Sequence, residues 1–174
     1  MTAVNLANQI LSLLTVLGQL IILAAVLEYL LNKNFLNPFR QKALGLAFLV
    51  ALAAMSGSLF YSEIAGFDPC KLCWYQRILM YPQVLLLGLA LWKREGKQIA
   101  PYSIFLSSVG ALIAGYHYLL QLDLVPSLPC SAVGYSVSCS QRFVLQFGYI
   151  TIPMMSLTVF LLIIFLMWAV RKEN

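Results

Sequence analysis

Apolar and polar positions alternate along the chain on a coarse scale, with five long apolar runs joined by short polar stretches. The runs extend approximately from Ile10 to Leu31, Ala43 to Ile64, Trp74 to Trp92, Tyr102 to Leu122 and Thr151 to Val170. Each is close to the roughly 20 residues a helix needs to cross a bilayer. In lipid an isolated strand would leave its backbone groups unpaired, so the runs predict helices. The expected fold is all-α, a polytopic membrane helical bundle.

Composition agrees with this pattern. Hydrophobic residues make up 61% of the chain and charged residues 10%, whereas a soluble domain carries about 25% charged residues to face water. So few charges cannot cover a water-facing surface, and membrane lipid must cover much of the chain. The net charge of +5 does not point to nucleic acid, whose binders gather Lys and Arg on one face or stripe. Here the basic residues fall in short groups between apolar runs. Lys33, Arg40, Lys42, Lys93, Arg94, Lys97, Arg171 and Lys172 share one side if the runs alternate across a membrane, and Lys71, Arg77 and Arg142 share the other. The excess of Lys and Arg marks the cytoplasmic side. The N-terminus is therefore expected outside and the C-terminus inside. Met1 to Gln9 holds no Lys or Arg, and a signal peptide carries positive charge ahead of its apolar core. The first run is expected to be a retained helix.

On that topology all four cysteines lie outside, two per loop. Cys70 and Cys73 form a C-x-x-C at the mouth of the third run, after Pro69, which suits a first helical turn. A first turn lies at the positive end of the helix dipole, which favours a thiolate. Arg77 follows Cys73 by four residues and shares its helix face, so Cys70, Cys73 and Arg77 form one stripe. A charge just inside a membrane is costly and usually marks function. A C-x-x-C disulfide closes a very short loop and stabilises a fold little, so redox exchange is its better use. Cys130 and Cys139 bracket a polar stretch after Pro126 and Pro129, read as a mobile loop open to a soluble partner. Two pairs on adjacent loops of one face permit a thiol–disulfide relay. A tetrathiolate zinc site is disfavoured on the oxidising side of a membrane, and no metal is expected. His117 is the single histidine, flanked by Tyr116 and Tyr118 in the outer half of the fourth run at a depth similar to Arg77. Trp74, Tyr75, Tyr81 and Tyr149 are read as interface belt residues.

In this order, these residues resemble the disulfide bond formation protein B (DsbB) family of bacterial inner-membrane oxidoreductases. The match comprises Pro69, Cys70 and Cys73 with Tyr75 and Arg77, then His117 followed by Leu120 and Gln121. It continues through Cys130, Cys139 with Arg142 three residues on, and Phe147-Gly148 leading to Pro153. The resemblance implies a four-helix bundle over residues 43–174, to which residues 1–42 add an extra N-terminal transmembrane helix and a linker. It implies reoxidation of a soluble DsbA-like thioredoxin-fold oxidase, with the electrons passed to a membrane quinone, ubiquinone or menaquinone. Cys130 would then be joined to the partner, Cys139 would exchange with Cys70, and Cys73 would contact the quinone beside Arg77. From their common depth, Arg77 and His117 are expected to donate to one quinone head group. The long-loop cysteines stand closer together than in the best-known members of the family. Vitamin K epoxide reductase is similar in coupling cysteines to a quinone, but there the loop cysteines precede the C-x-x-C. A non-catalytic membrane subunit with two structural disulfides would leave Arg77 unexplained.

Overall fold

A computed structural model of the chain describes residues 2–31, 42–126 and 138–172. Among these residues there are five α-helices: α1 (Thr2–Leu30), α2 (Ala43–Leu59), α3 (Lys71–Lys93), α4 (Gly96–Gln121) and α5 (Ile152–Arg171). One π-helical turn, Phe60–Ile64, continues α2. Four segments are long and apolar enough to cross a membrane: Ala3–Glu28, Ala43–Ile64, Gly96–Gln121 and Ile152–Arg171. The chain is thus a helical membrane bundle, as its apolar runs predict. The fifth helix, α3, has 23 residues and a length of about 34 Å at 1.5 Å per residue. Its polar residues Gln76 and Gln83 are buried rather than set against lipid.

The helices α2, α3, α4 and α5 close a ring in which each packs on its neighbours, with α4 against α5 the most extensive contact. Small residues set the spacing. Ala43, Ala47 and Ala51 recur every fourth residue on the buried face of α2, and such residues let backbones approach closely. At Gly110 of α4 a Cβ would lie 2.3 Å from the ring of Phe160 of α5, so only glycine admits that ring. Polar side chains tie the ring further. The fully buried Gln83 accepts from Ser103 Oγ at 2.8 Å and Ser107 Oγ at 3.0 Å, and donates to the Leu79 carbonyl at 3.1 Å. This joins α3 to α4 without leaving an amide unpaired in an apolar interior. Arg94 adopts a left-handed φ of 59° and reverses the chain between these two helices.

α1 stands outside the ring and packs on α5. It begins well before Ile10, where the sequence predicts the first span. Asn8, ahead of that point, has a tertiary partner: Tyr61 Oη donates to Asn8 Oδ1 at 2.9 Å. α4 likewise starts at Gly96 instead of near Tyr102, with Pro101 inside the helix. The linker holding Lys33 and Arg40, and most of the loop holding Cys130, lie outside the described residues.

Candidate functional site: a cysteine cluster beside a membrane cavity

Cys70 is the N-cap of α3 and Cys73 sits in its first turn, as the position of Pro69 predicts. Cys70 Sγ donates to Cys73 Sγ at 3.3 Å, and both are free thiols. The proton held in that bond, together with burial, pushes the Cys70 thiol up to about 12. The bond it accepts from Cys70 draws the Cys73 thiol below its ordinary value, and the helix dipole and Arg77 act in the same direction.

His117 and Cys139 complete the cluster. His117 Nε2 lies 3.7 Å from Cys70 Sγ and 3.0 Å from the Cys139 carbonyl, and Nδ1 lies 3.0 Å from Gln76 Nε2. The proton positions follow from what each atom can do. Gln76 Nε2 also donates to the Leu72 carbonyl at 3.1 Å, which can only accept, so the amide orientation is set. Its second N–H then points to Nδ1, which must be unprotonated. Nε2 carries the hydrogen and donates it to the Cys139 carbonyl. An unbroken chain of bonds thus runs from α3 through His117 of α4 to the loop cysteine. Gln121, one turn further along α4, donates to the Gln141 carbonyl at 3.0 Å, and its own carbonyl accepts from Arg142. His117, Leu120 and Gln121 form one helix face that holds the Cys139 segment over Cys70; Cys70, Leu120 and Cys139 pack as one buried group.

Two sequence expectations change here. Cys139 is only 2% exposed, so this end of the second pair is not open to a soluble partner, because the α4 face pins it. Cys130 lies outside the described residues. His117, also 2% exposed, does not share a pocket with Arg77. Depth along a helix carries no information about azimuth, and this histidine turns toward Cys70 and Cys139. Tyr81 points inward, donating to Ser58 Oγ at 3.2 Å, whereas Tyr149 stays exposed while donating to Gln19 Oε1 at 2.8 Å. Trp74 and Tyr75 are each 53% exposed, as belt residues are.

Cys73 and Arg77 border a partly open cavity of about 390 Å³ lined by α1, α2, α3 and α5. Arg77 Nη2 donates to the Ser58 carbonyl at 2.9 Å, and its guanidinium lies 5.5 Å from the Trp74 ring. The π turn places Tyr61 on the cavity wall. Tyr61, Phe67 and Phe143 stack in sequence with centroid separations of 5.8 and 4.9 Å, and all three line the cavity. The polar end, at Cys73, Gln76 and Arg77, gives way to Leu46, Leu49 and Val50 further along α2. Gln76 and Tyr61 escaped sequence reasoning. The one signal for Gln76 was its i+3 spacing from Cys73, which carries no meaning until the His117 contact is seen.

Among the described residues, Cys70, Cys73 and His117 are close enough together to hold a metal ion. Two thiolates at about 2.3 Å from a tetrahedral zinc would stand about 3.8 Å apart. The 3.3 Å observed suits a shared proton better.

A helical membrane bundle with a C-x-x-C at its edge and a third cysteine held against it is a membrane disulfide oxidoreductase in class. The chain belongs to the DsbB family: the family model described as disulfide bond formation protein DsbB matches residues 40–170. It is 41% identical over 142 residues to the probable disulfide formation protein of Oceanobacillus iheyensis, covering 80% of this chain and 97% of that one. It is 44% identical over 132 residues to disulfide bond formation protein C of Bacillus subtilis, covering 74% and 91%. It is 42% identical over 135 residues to the probable disulfide formation protein C 1 of Bacillus anthracis, covering 78% and 96%. No solved structure matches the chain.

Proposed function

We propose that this chain reoxidises a soluble, DsbA-like thioredoxin-fold thiol oxidase outside the cytoplasm and passes the electrons to a membrane quinone. The observation that carries this reading is that the two thiols of the C-x-x-C face different surroundings. Both pack with the buried group that holds Cys139, but of the two thiols it is Cys73 that also borders the cavity with Arg77. The cavity volume is within the roughly 300–1,000 Å³ of small-molecule sites. Its polar end and apolar remainder suit an amphipathic quinone, which when bound accepts two electrons and two protons.

The chain's own residues account for the rest. A partner thiolate attacks the Cys130–Cys139 disulfide at Cys130 and releases Cys139 as thiolate. The partner's second thiol resolves the mixed disulfide, leaving the partner oxidised and Cys130 and Cys139 reduced. Cys139 then attacks Cys70 in the Cys70–Cys73 disulfide and releases Cys73 as thiolate, and Cys130 displaces Cys70 to restore the loop disulfide. Each exchange forms one S–S bond and breaks one. The hydrogen bond from Cys70 to Cys73 is what this reduced pair would have before it gives up two electrons and the one proton it holds on Cys70, the second proton being the one released when the partner's attacking thiol ionised. His117, held by Gln76, positions Cys139 for attack by donating to its backbone carbonyl. Arg77 offers a fork of donors and positive charge at the cavity end nearest Cys73.

The test is quinone reduction by the purified full chain with a reduced thioredoxin-fold oxidase, followed by the quinone absorbance change. Turnover is expected to require quinone and to vanish in Cys73→Ala. Oxidation that continues without Cys73, or at equal rate without quinone, refutes the proposal.

A further inference from the structure

The family match begins at residue 40, so α1 lies outside it, yet α1 is built into the cavity. Leu11, Thr15, Gly18 and Ile21 of α1 line one side, facing Leu46 and Val50 of α2. The wall residues Leu46 and Gly57 are eleven residues apart on α2, about 17 Å along the axis. The cavity is therefore long, with Arg77 and Cys73 toward one end and an apolar channel toward the other.

α1 is not a loosely attached anchor. Asn8, Ser12, Thr15 and Gln19 are spaced by four, three and four residues, and so form one stripe turned toward the bundle. Asn8 accepts from Tyr61, itself a cavity residue; Gln19 donates to Thr158 Oγ1 at 3.3 Å and accepts from Tyr149. Gly18 lets α1 approach α5 closely, since a Cβ there would stand 2.8 Å from Leu162 Cδ1. Polar bonds and small residues are what hold helices together where lipid provides no hydrophobic drive. These bonds set α1 in register against the cavity, with its other faces left to lipid.

We infer that α1 is the fourth wall of a tail channel that takes the apolar chain of a prenylated quinone whose head group lies beside Cys73 and Arg77. The inference rests on the quinone reading above and specifies the substrate: a long-tailed quinone is preferred over a tailless one because of α1. A polar reducible head with an apolar tail matches both ends of one continuous cavity. A lipid acyl chain matches the channel alone.

The test uses the full chain in lipid nanodiscs with two quinones that share one head group, one with a long prenyl tail and one without. Ile21→Trp fills the channel, and Leu13→Trp, at a position 59% exposed and absent from the wall, is the control. Ile21→Trp is expected to raise the apparent KM for the tailed quinone about tenfold, as overpacking does, and to leave that for the tailless quinone within about twofold. The new tryptophan should be quenched on equilibrium binding of the tailed quinone, whereas that of Leu13→Trp should not. An equal rise for both quinones, or no rise and no quenching, overturns the role of α1 while leaving the quinone site standing; the second result would assign the channel to a lipid chain. Failure of the parent chain to reduce either quinone overturns the site reading and this inference with it.

Discussion

Replacing Gln76 by leucine tests the hydrogen-bond chain that holds Cys139 beside Cys70. Leucine keeps the volume but removes both amide donors, one to the Leu72 carbonyl and one to His117 Nδ1. His117 is then free to carry its proton on Nδ1. In that tautomer Nε2 has no hydrogen, and the buried Cys139 carbonyl loses its donor. A buried acceptor left unpaired costs about 1–3 kcal/mol, and about 1.4 kcal/mol is tenfold in rate or equilibrium. Exchange between Cys139 and the C-x-x-C is therefore expected to slow about tenfold. The assay starts from chain with a reduced loop pair and an oxidised C-x-x-C, quenches with acid at successive times, and resolves the thiols by alkylation with a mass tag. Because both residues act through one link, adding Gln76→Leu to His117→Ala should cost little more than His117→Ala alone. Unchanged exchange in Gln76→Leu, or additive losses in the double variant, would refute the chain of bonds as the device that positions Cys139.

Three further outcomes are expected. Arg77→Lys keeps the charge but loses the planar fork of donors; it should raise the apparent KM for quinone, Arg77→Ala should raise it more, and in both the Cys70–Cys73 disulfide should still form on oxidation, checked by thiol titration. Gln83→Ala strips the partner from Ser103 and Ser107 and should destabilise the bundle by about 2 kcal/mol, read as a lower Tm in detergent, with the quinone KM unchanged. A soluble oxidase whose second cysteine is replaced by alanine cannot resolve the mixed disulfide, so it should accumulate joined to Cys130 of the parent chain, identified by peptide mapping; a partner trapped on Cys73 would reverse the proposed electron order.

Much of this protein is legible in its sequence because a bilayer leaves the chain few options. Each apolar run had to be a helix, since lipid offers no partner to a backbone N–H or C=O. The second run, Ala43 to Ile64, became α2 and its π turn with the expected limits. The first turn carrying Cys70 and Cys73 was likewise readable, because Pro69 and the i+3 and i+4 spacings are local and helix geometry converts them directly into a shared face. What spacing along one helix could not supply was the rotation of each helix about its own axis against the others. Only the assembled bundle turned His117 from the cavity toward Cys139, made Gln76 its partner, buried Cys139 under the face of α4, and gave Asn8 and Gln19 of α1 their bonds to the bundle. The polar stripe of α1 was present in the sequence throughout. It acquired meaning only when Tyr61, more than fifty residues away, came within hydrogen-bond distance, because a polar group in lipid declares its purpose through the partner it finds.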